Sequence, residues 1–250
     1  MSVSPSTTHT QDTQTSDSPK RNNDFQEMWP RIIPFVAYMS FIAVGSLLTW
    51  FLGEASSARE TADLWLYPVK TLVVATLLYV VWSRCPELQR PICPNMYEGA
   101  LAVGVGLVVY ALWVRMDWAW ATQGEIVGGY NPFVAGSTVG MVLAGIRIFG
   151  ASIIVPLMEE LFWRSFLLRY VINSRFETIP LGVFTVASFG ITVILFGLEH
   201  NLWLAGMMAG AAYTLLIYHT KRLWPCIVAH GVTNLALGIH VLVTGEWQWW

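Results

Sequence analysis

Apolar residues run in blocks along this chain, and polar residues gather in the gaps between them. Seven blocks stand at roughly 32–52, 64–82, 97–114, 139–171, 181–199, 202–219 and 224–243. Most come close to the ~20 residues that a helix needs to cross a bilayer, at ~1.5 Å of rise per residue. The pattern predicts an all-α fold: a polytopic bundle of about seven transmembrane helices, with a polar site buried among the later ones. No internal repeat is visible. The fourth block is too long for a simple span, since 33 residues of helix rise ~50 Å against a ~30 Å hydrocarbon core. It is expected either as one tilted helix that overhangs the membrane or as two pieces broken near Pro156.

Ahead of the first block, residues 1–27 are rich in Ser, Thr, Gln and Asp and contain no apolar stretch. They read as a disordered tail in front of an integral membrane domain over 28–250, and they exclude a cleavable signal peptide. Basic residues orient the bundle. With seven spans and the N-terminus inside, Lys20, Arg21, Arg31, Arg84, Arg90, Arg169, Arg175, Lys221 and Arg222 fall on the inner side. Arg59, Lys70 and Arg115 fall outside. Nine against three favours that orientation, in what is expected to be a bacterial cytoplasmic membrane. Splitting the fourth block into two spans would spoil the asymmetry.

Composition agrees with the pattern. The chain is 55% hydrophobic and 12% charged, against about 25% charged in a soluble domain. Thirteen tryptophans suit a protein with two membrane interfaces. A net charge of −2 gives no reason to expect nucleic acid as a partner. Cys85, Cys93 and Cys226 have no metal-ligand spacing and predict neither a disulfide nor thiol chemistry.

Against this apolar background, Glu159, Glu160 and Arg164 stand out inside the fourth block. Ionised groups at membrane depth cost at least ~3 kcal/mol each unless paired. Glu160 and Arg164 are i and i+4 and share a helix face, so they predict an ion pair. Glu159 lies ~100° around the helix, without that partner, and is free for chemistry. Two further polar clusters follow. Phe196 stands one turn before His200, and His230 stands one turn before Asn234. A carboxylate, an imidazole and a His/Asn donor pair are the parts needed for amide hydrolysis: a base for water, a partner for its proton and an oxyanion hole. Glu199 and Asn201, beside His200, read more simply as groups that polarise a buried turn. His219 reads as interfacial and His240 as pointing away from the site, while Arg147 reads as snorkelling to the outer interface.

The motifs E-E-x-x-x-R (Glu159, Glu160, Arg164), F-x-x-x-H (Phe196, His200) and H-x-x-x-N (His230, Asn234) occur in order, each in a membrane block. Together they resemble the CAAX protease and bacteriocin-processing family, glutamate-type intramembrane endopeptidases, over about residues 140–245. The resemblance implies that Glu159 and His200 activate water, that His230 and Asn234 stabilise the oxyanion, and that Glu160, Arg164 and Phe196 support the site. It implies no cofactor and a membrane-bound or lipidated polypeptide substrate. Competing readings are a zinc metalloprotease using Glu159, His200 and His230, and a non-catalytic scaffold or immunity protein. The absence of H-E-x-x-H spacing weakens the first. The full set of buried polar groups weakens the second. A transporter would more naturally show repeats.

One geometric condition follows. If every block were a simple full span, His200 would lie near the outer face and His230 within ~10 Å of the inner one. They can share a site only if the turn between the fifth and sixth helices lies inside the bundle, where irregular backbone can line a wet cavity.

Overall fold

A computed structural model describes residues 18–53, 56–124 and 129–250. Among these residues there are seven principal helices and no strand. We label them α1 (Ser18–Leu52), α2 (Ser57–Val81), α3 (Met96–Trp113), α4 (Ser137–Tyr170), α5 (Val186–Leu198), α6 (Trp203–Thr220) and α7 (Trp224–Thr244). The first helix reaches back to Ser18, into the stretch expected as a tail, and residues 1–17 lie outside the described residues.

Five of the helices, α1 to α4 and α7, are long and apolar enough to cross a membrane. The surface they present is inverted relative to a soluble protein. Leu47, Trp50, Phe51, Leu72 and Val108 face outward, while Arg31, Lys70, Glu159, Glu160 and Arg164 are buried. Apolar side chains have no reason to hide from lipid, and charges have every reason to. The chain is an integral membrane protein.

The fourth block forms one helix of 34 residues, not two. Two π-helical stretches, Gly150–Ile154 and Leu161–Leu167, interrupt its α-helical hydrogen-bond ladder. Pro156 has no N–H and its ring crowds the carbonyl one turn earlier, so the widened turn just before it keeps the helix continuous.

The fifth helix departs from expectation in the useful direction. Residues 181–185 stay outside it: Thr185 caps the helix by accepting from the Ser188 amide, so α5 holds only 13 residues. At ~20 Å it is too short for a ~30 Å core, and its turn into α6 at residues 199–202 therefore need not reach the far surface. The two helices pack tightly because glycines face each other. A Cβ on Gly206 would stand 3.0 Å from the Gly197 Cα, and one on Gly210 would press on the Phe196 ring. The carbonyls left open by the turn are satisfied from the loop between α3 and α4. Gln123 donates from its side chain to the carbonyls of Leu198 and His200, at 2.8 and 2.7 Å, and from its amide to Asn201 at 2.8 Å. Unsatisfied backbone at membrane depth is expensive, and Gln123 removes that cost.

Candidate active site

Three helices bring the motif residues together. On α4, Glu160 and Arg164 form the ion pair that their spacing predicts, with Arg164 Nη1 3.0 Å from Glu160 Oε1 and both side chains fully buried. The guanidinium also donates to the Gly210 carbonyl on α6 at 3.2 Å and stacks 4.3 Å from the Phe196 ring centre on α5. One arginine thus ties three helices together.

Phe196 then holds His200 twice. The two rings are 4.9 Å apart, and the Phe196 carbonyl lies 2.7 Å from His200 Nδ1. A carbonyl can only accept, so Nδ1 carries the proton and Nε2 presents a lone pair. Trp113 from α3 packs edge-on against the imidazole at 5.4 Å. His200 is fixed in the tautomer suited to taking a proton at Nε2.

The arrangement around His230 is the one that spacing alone could not reveal. Its Nδ1 lies 3.0 Å from Glu160 Oε1, across 70 residues of sequence, and its Nε2 lies 4.0 Å from Glu159 Oε2. Tyr213 stacks on the ring at 5.1 Å, and its hydroxyl donates to Thr233. Glu160 therefore accepts from both Arg164 and His230 and orients the imidazole. Glu159 is buried, and its Oε2 has no hydrogen-bond partner.

Asn234 is held by the first π-stretch. In that widened turn the Val155 N–H bonds to the Gly150 carbonyl, and the next donor in line, Pro156, has no N–H. The Ala151 carbonyl is left open, and Asn234 Nδ2 donates to it at 2.9 Å. Close approach of α7 to α4 requires Gly231, since a Cβ there would stand 2.7 Å from the Ser152 carbonyl oxygen. The amide nitrogen keeps a second N–H for a ligand.

Glu159, His200, His230 and Asn234 all line one cavity of about 260 Å³. The short α5 is what allows this, because it carries His200 to the depth of His230. Sequence reasoning placed less weight on Glu199, which also lines the cavity and accepts from Trp163 Nε1 at 3.0 Å. Its position beside His200 was the available signal. Arg147 lines the cavity too, stacked over Tyr67 instead of extending outward to the interface. His240 lies off the cavity, bonded to Tyr110 and Glu246. Among the described residues no three His, Cys, Asp or Glu side chains converge as a metal-binding group.

No curated protein and no solved structure matches the chain. A family model does, over residues 138–236: that of the type II CAAX prenyl endopeptidase Rce1-like family. The matched stretch begins with α4 and ends just after Asn234, so it contains all three motifs and the residues they bring to the cavity. Resemblance by motif and match by family model coincide, and the stretch from 138 to 236 is similar to the Rce1-like family of CAAX prenyl endopeptidases.

Proposed function

We propose that this protein is an intramembrane endopeptidase that cleaves a membrane-tethered polypeptide with a water activated by Glu159 and His200. The observation that carries the proposal is the convergence of Glu159, His200, His230 and Asn234 on one cavity inside a membrane bundle. A water held between the Glu159 carboxylate and His200 Nε2 has two acceptors for its protons. As its oxygen attacks the scissile carbonyl, one proton passes to Glu159, and the carbonyl oxygen becomes an oxyanion. Asn234 stabilises that charge with its remaining Nδ2–H. His230 does so with Nε2–H, provided that its ring carries both protons, one shared with Glu160 and one facing the cavity. Collapse of the intermediate breaks the C–N bond, and the proton held by Glu159 leaves with the amine. Glu160 and Arg164 act by positioning His230 and Phe196.

The positive-inside count supports a cytoplasmic N-terminus, and the same balance suits a bacterial cytoplasmic membrane. In that orientation the ends of α3 and α7 that bring Trp113, Trp249 and Trp250 to the cavity stand on the outer side, from which a tethered peptide enters.

The test is cleavage of a membrane-anchored reporter in proteoliposomes. Glu159→Gln keeps the shape of the carboxylate but not its basicity, and should abolish turnover while the melting temperature stays at the wild-type value. His200→Ala should be comparably damaging. Asn234→Ala should lose about 10²–10³ in rate, the usual effect of one oxyanion donor. Chelators should leave the wild-type rate unchanged. A folded Glu159→Gln protein that cleaves at the wild-type rate would sink the assignment. Loss of activity on chelation, restored by zinc, would transfer it to the metalloprotease reading.

A further inference from the structure

The cavity is lined by groups of opposite charge. Glu159 and Glu199 are carboxylates on its wall, and Arg147, ten residues into α4 from Ser137, is a cation on it. Arg147 has no carboxylate partner among the described residues, and its buried Nε has no hydrogen-bond acceptor. Its guanidinium sits in an aromatic cage, 4.1 Å from the Tyr67 ring centre, 5.2 Å from Tyr130 and 5.9 Å from Trp250. The backbone is fastened as well, since the Tyr67 hydroxyl donates to the Arg147 carbonyl at 3.2 Å. Gly150 admits this approach, because a Cβ there would stand 2.6 Å from the Tyr67 oxygen. A second cation reinforces the sign. Lys70 Nζ lies 5.0 Å from the same Tyr67 ring and 4.0 Å from Tyr38, also with no carboxylate partner among the described residues.

Aromatic faces steady a cation but accept none of its hydrogen bonds. A guanidinium offers five N–H donors in a planar fork that matches a carboxylate. A cation held rigidly, undersatisfied and facing a cavity is a site for an anionic group. Arg147 is twelve residues from Glu159 along α4, a rise of at most ~18 Å along the helix axis. That is on the order of five residues of extended peptide at ~3.4 Å each.

We propose that Arg147 is the carboxylate-binding subsite of this cavity, holding a carboxylate of the substrate on the order of five residues from the bond that is cut. The carboxylate is either the substrate's own C-terminus or an acidic side chain. The proposal rests on the endopeptidase reading for the identity of its ligand, though not for the binding itself.

The experiment titrates wild-type protein in neutral-lipid nanodiscs with labelled apolar hexapeptides, by fluorescence anisotropy, and follows cleavage of the same peptides. Three forms are compared: the free acid, its C-terminal amide, and the amide with Asp as the last residue. The free acid should bind about 10–100-fold tighter than the amide, the usual weight of a hydrogen bond to a charged group. Arg147→Gln should erase that preference by weakening the acid alone, and Arg147→Lys should retain part of it. Tight binding of the Asp amide assigns the subsite to side-chain carboxylates; weak binding assigns it to the chain terminus. Equal affinity of wild-type protein for acid and amide overturns the proposal without recourse to any variant. If no peptide is cleaved but the Arg147-dependent preference persists, the endopeptidase reading falls and the subsite stands. If cleavage proceeds without preference, the reverse holds.

Discussion

Arg164 and Ser165 are neighbours on α4, yet they belong to two buried polar networks of different kinds. Arg164, fully buried behind the cavity wall, completes the chain from Glu160 to His230 on one side and to Phe196 and His200 on the other. Ser165 faces away from that network, into a clamp with α1 and the connector between α2 and α3. There Arg31 of α1 grips Glu87 with two hydrogen bonds, Nε to Oε1 at 2.7 Å and Nη2 to Oε2 at 2.8 Å. The Ser165 hydroxyl donates to the same carboxylate, and Arg169 donates to that hydroxyl from Nη2 at 2.8 Å. The first network leaves two buried carboxylate oxygens, Glu159 Oε2 and Glu160 Oε2, without a hydrogen bond. The second leaves neither oxygen of Glu87 unused. The clamp saturates its carboxylate with donors, whereas the network beside the cavity leaves an oxygen open on each of its two.

That contrast is broken most severely by removing a carboxylate from the cavity network. Glu160→Gln strips a charge from between Arg164 and His230, and should lower stability by about 3–5 kcal/mol, the usual effect of halving a buried pair. Glu159→Gln should change it little. Thermal unfolding in detergent compares the two, and equal melting temperatures would refute the division of labour. On the clamp side, Glu87→Ala leaves the Arg31 guanidinium without its carboxylate and the Ser165 hydroxyl without its acceptor. A loss of about 2–4 kcal/mol is expected, with turnover per folded molecule unchanged. A specific activity that falls in proportion to a catalytic variant's would place Glu87 in the wrong class.

The smallest effect is a dependence on pH. Burial pushes the Glu87 carboxyl up, but the hydrogen bonds and charge of Arg31 outweigh it and hold the group below its ordinary value of 4.5. A carboxyl depressed in the folded state contributes its full stability above that ordinary value, and the contribution is lost as pH falls through the lower, folded one. Melting temperature should therefore decline as pH drops below about 4.5, less steeply in Glu87→Gln than in the wild type. Parallel profiles for the two proteins would remove Glu87 from the clamp's titration.

The sequence by itself determined whatever lies within one or two helical turns. Glu160 with Arg164, Phe196 with His200 and His230 with Asn234 are i, i+4 pairs, and the helical repeat places each pair on one face whatever the rest of the chain does. The all-helical membrane fold was equally legible, because an apolar run of twenty residues has few other ways to satisfy its backbone in lipid. Only the tertiary structure decided which faces meet. His230 bonds to Glu160 across 70 residues because α7 can approach α4 at Gly231. Asn234 finds its acceptor because a π-turn and Pro156 leave the Ala151 carbonyl open. Glu87, in a short connector with no motif around it, finds Arg31 and Ser165 only once three separate stretches pack together. None of these contacts has a period or a spacing. Each depends on how closely two backbones can come, and that is set by small residues and open carbonyls distributed over the whole bundle.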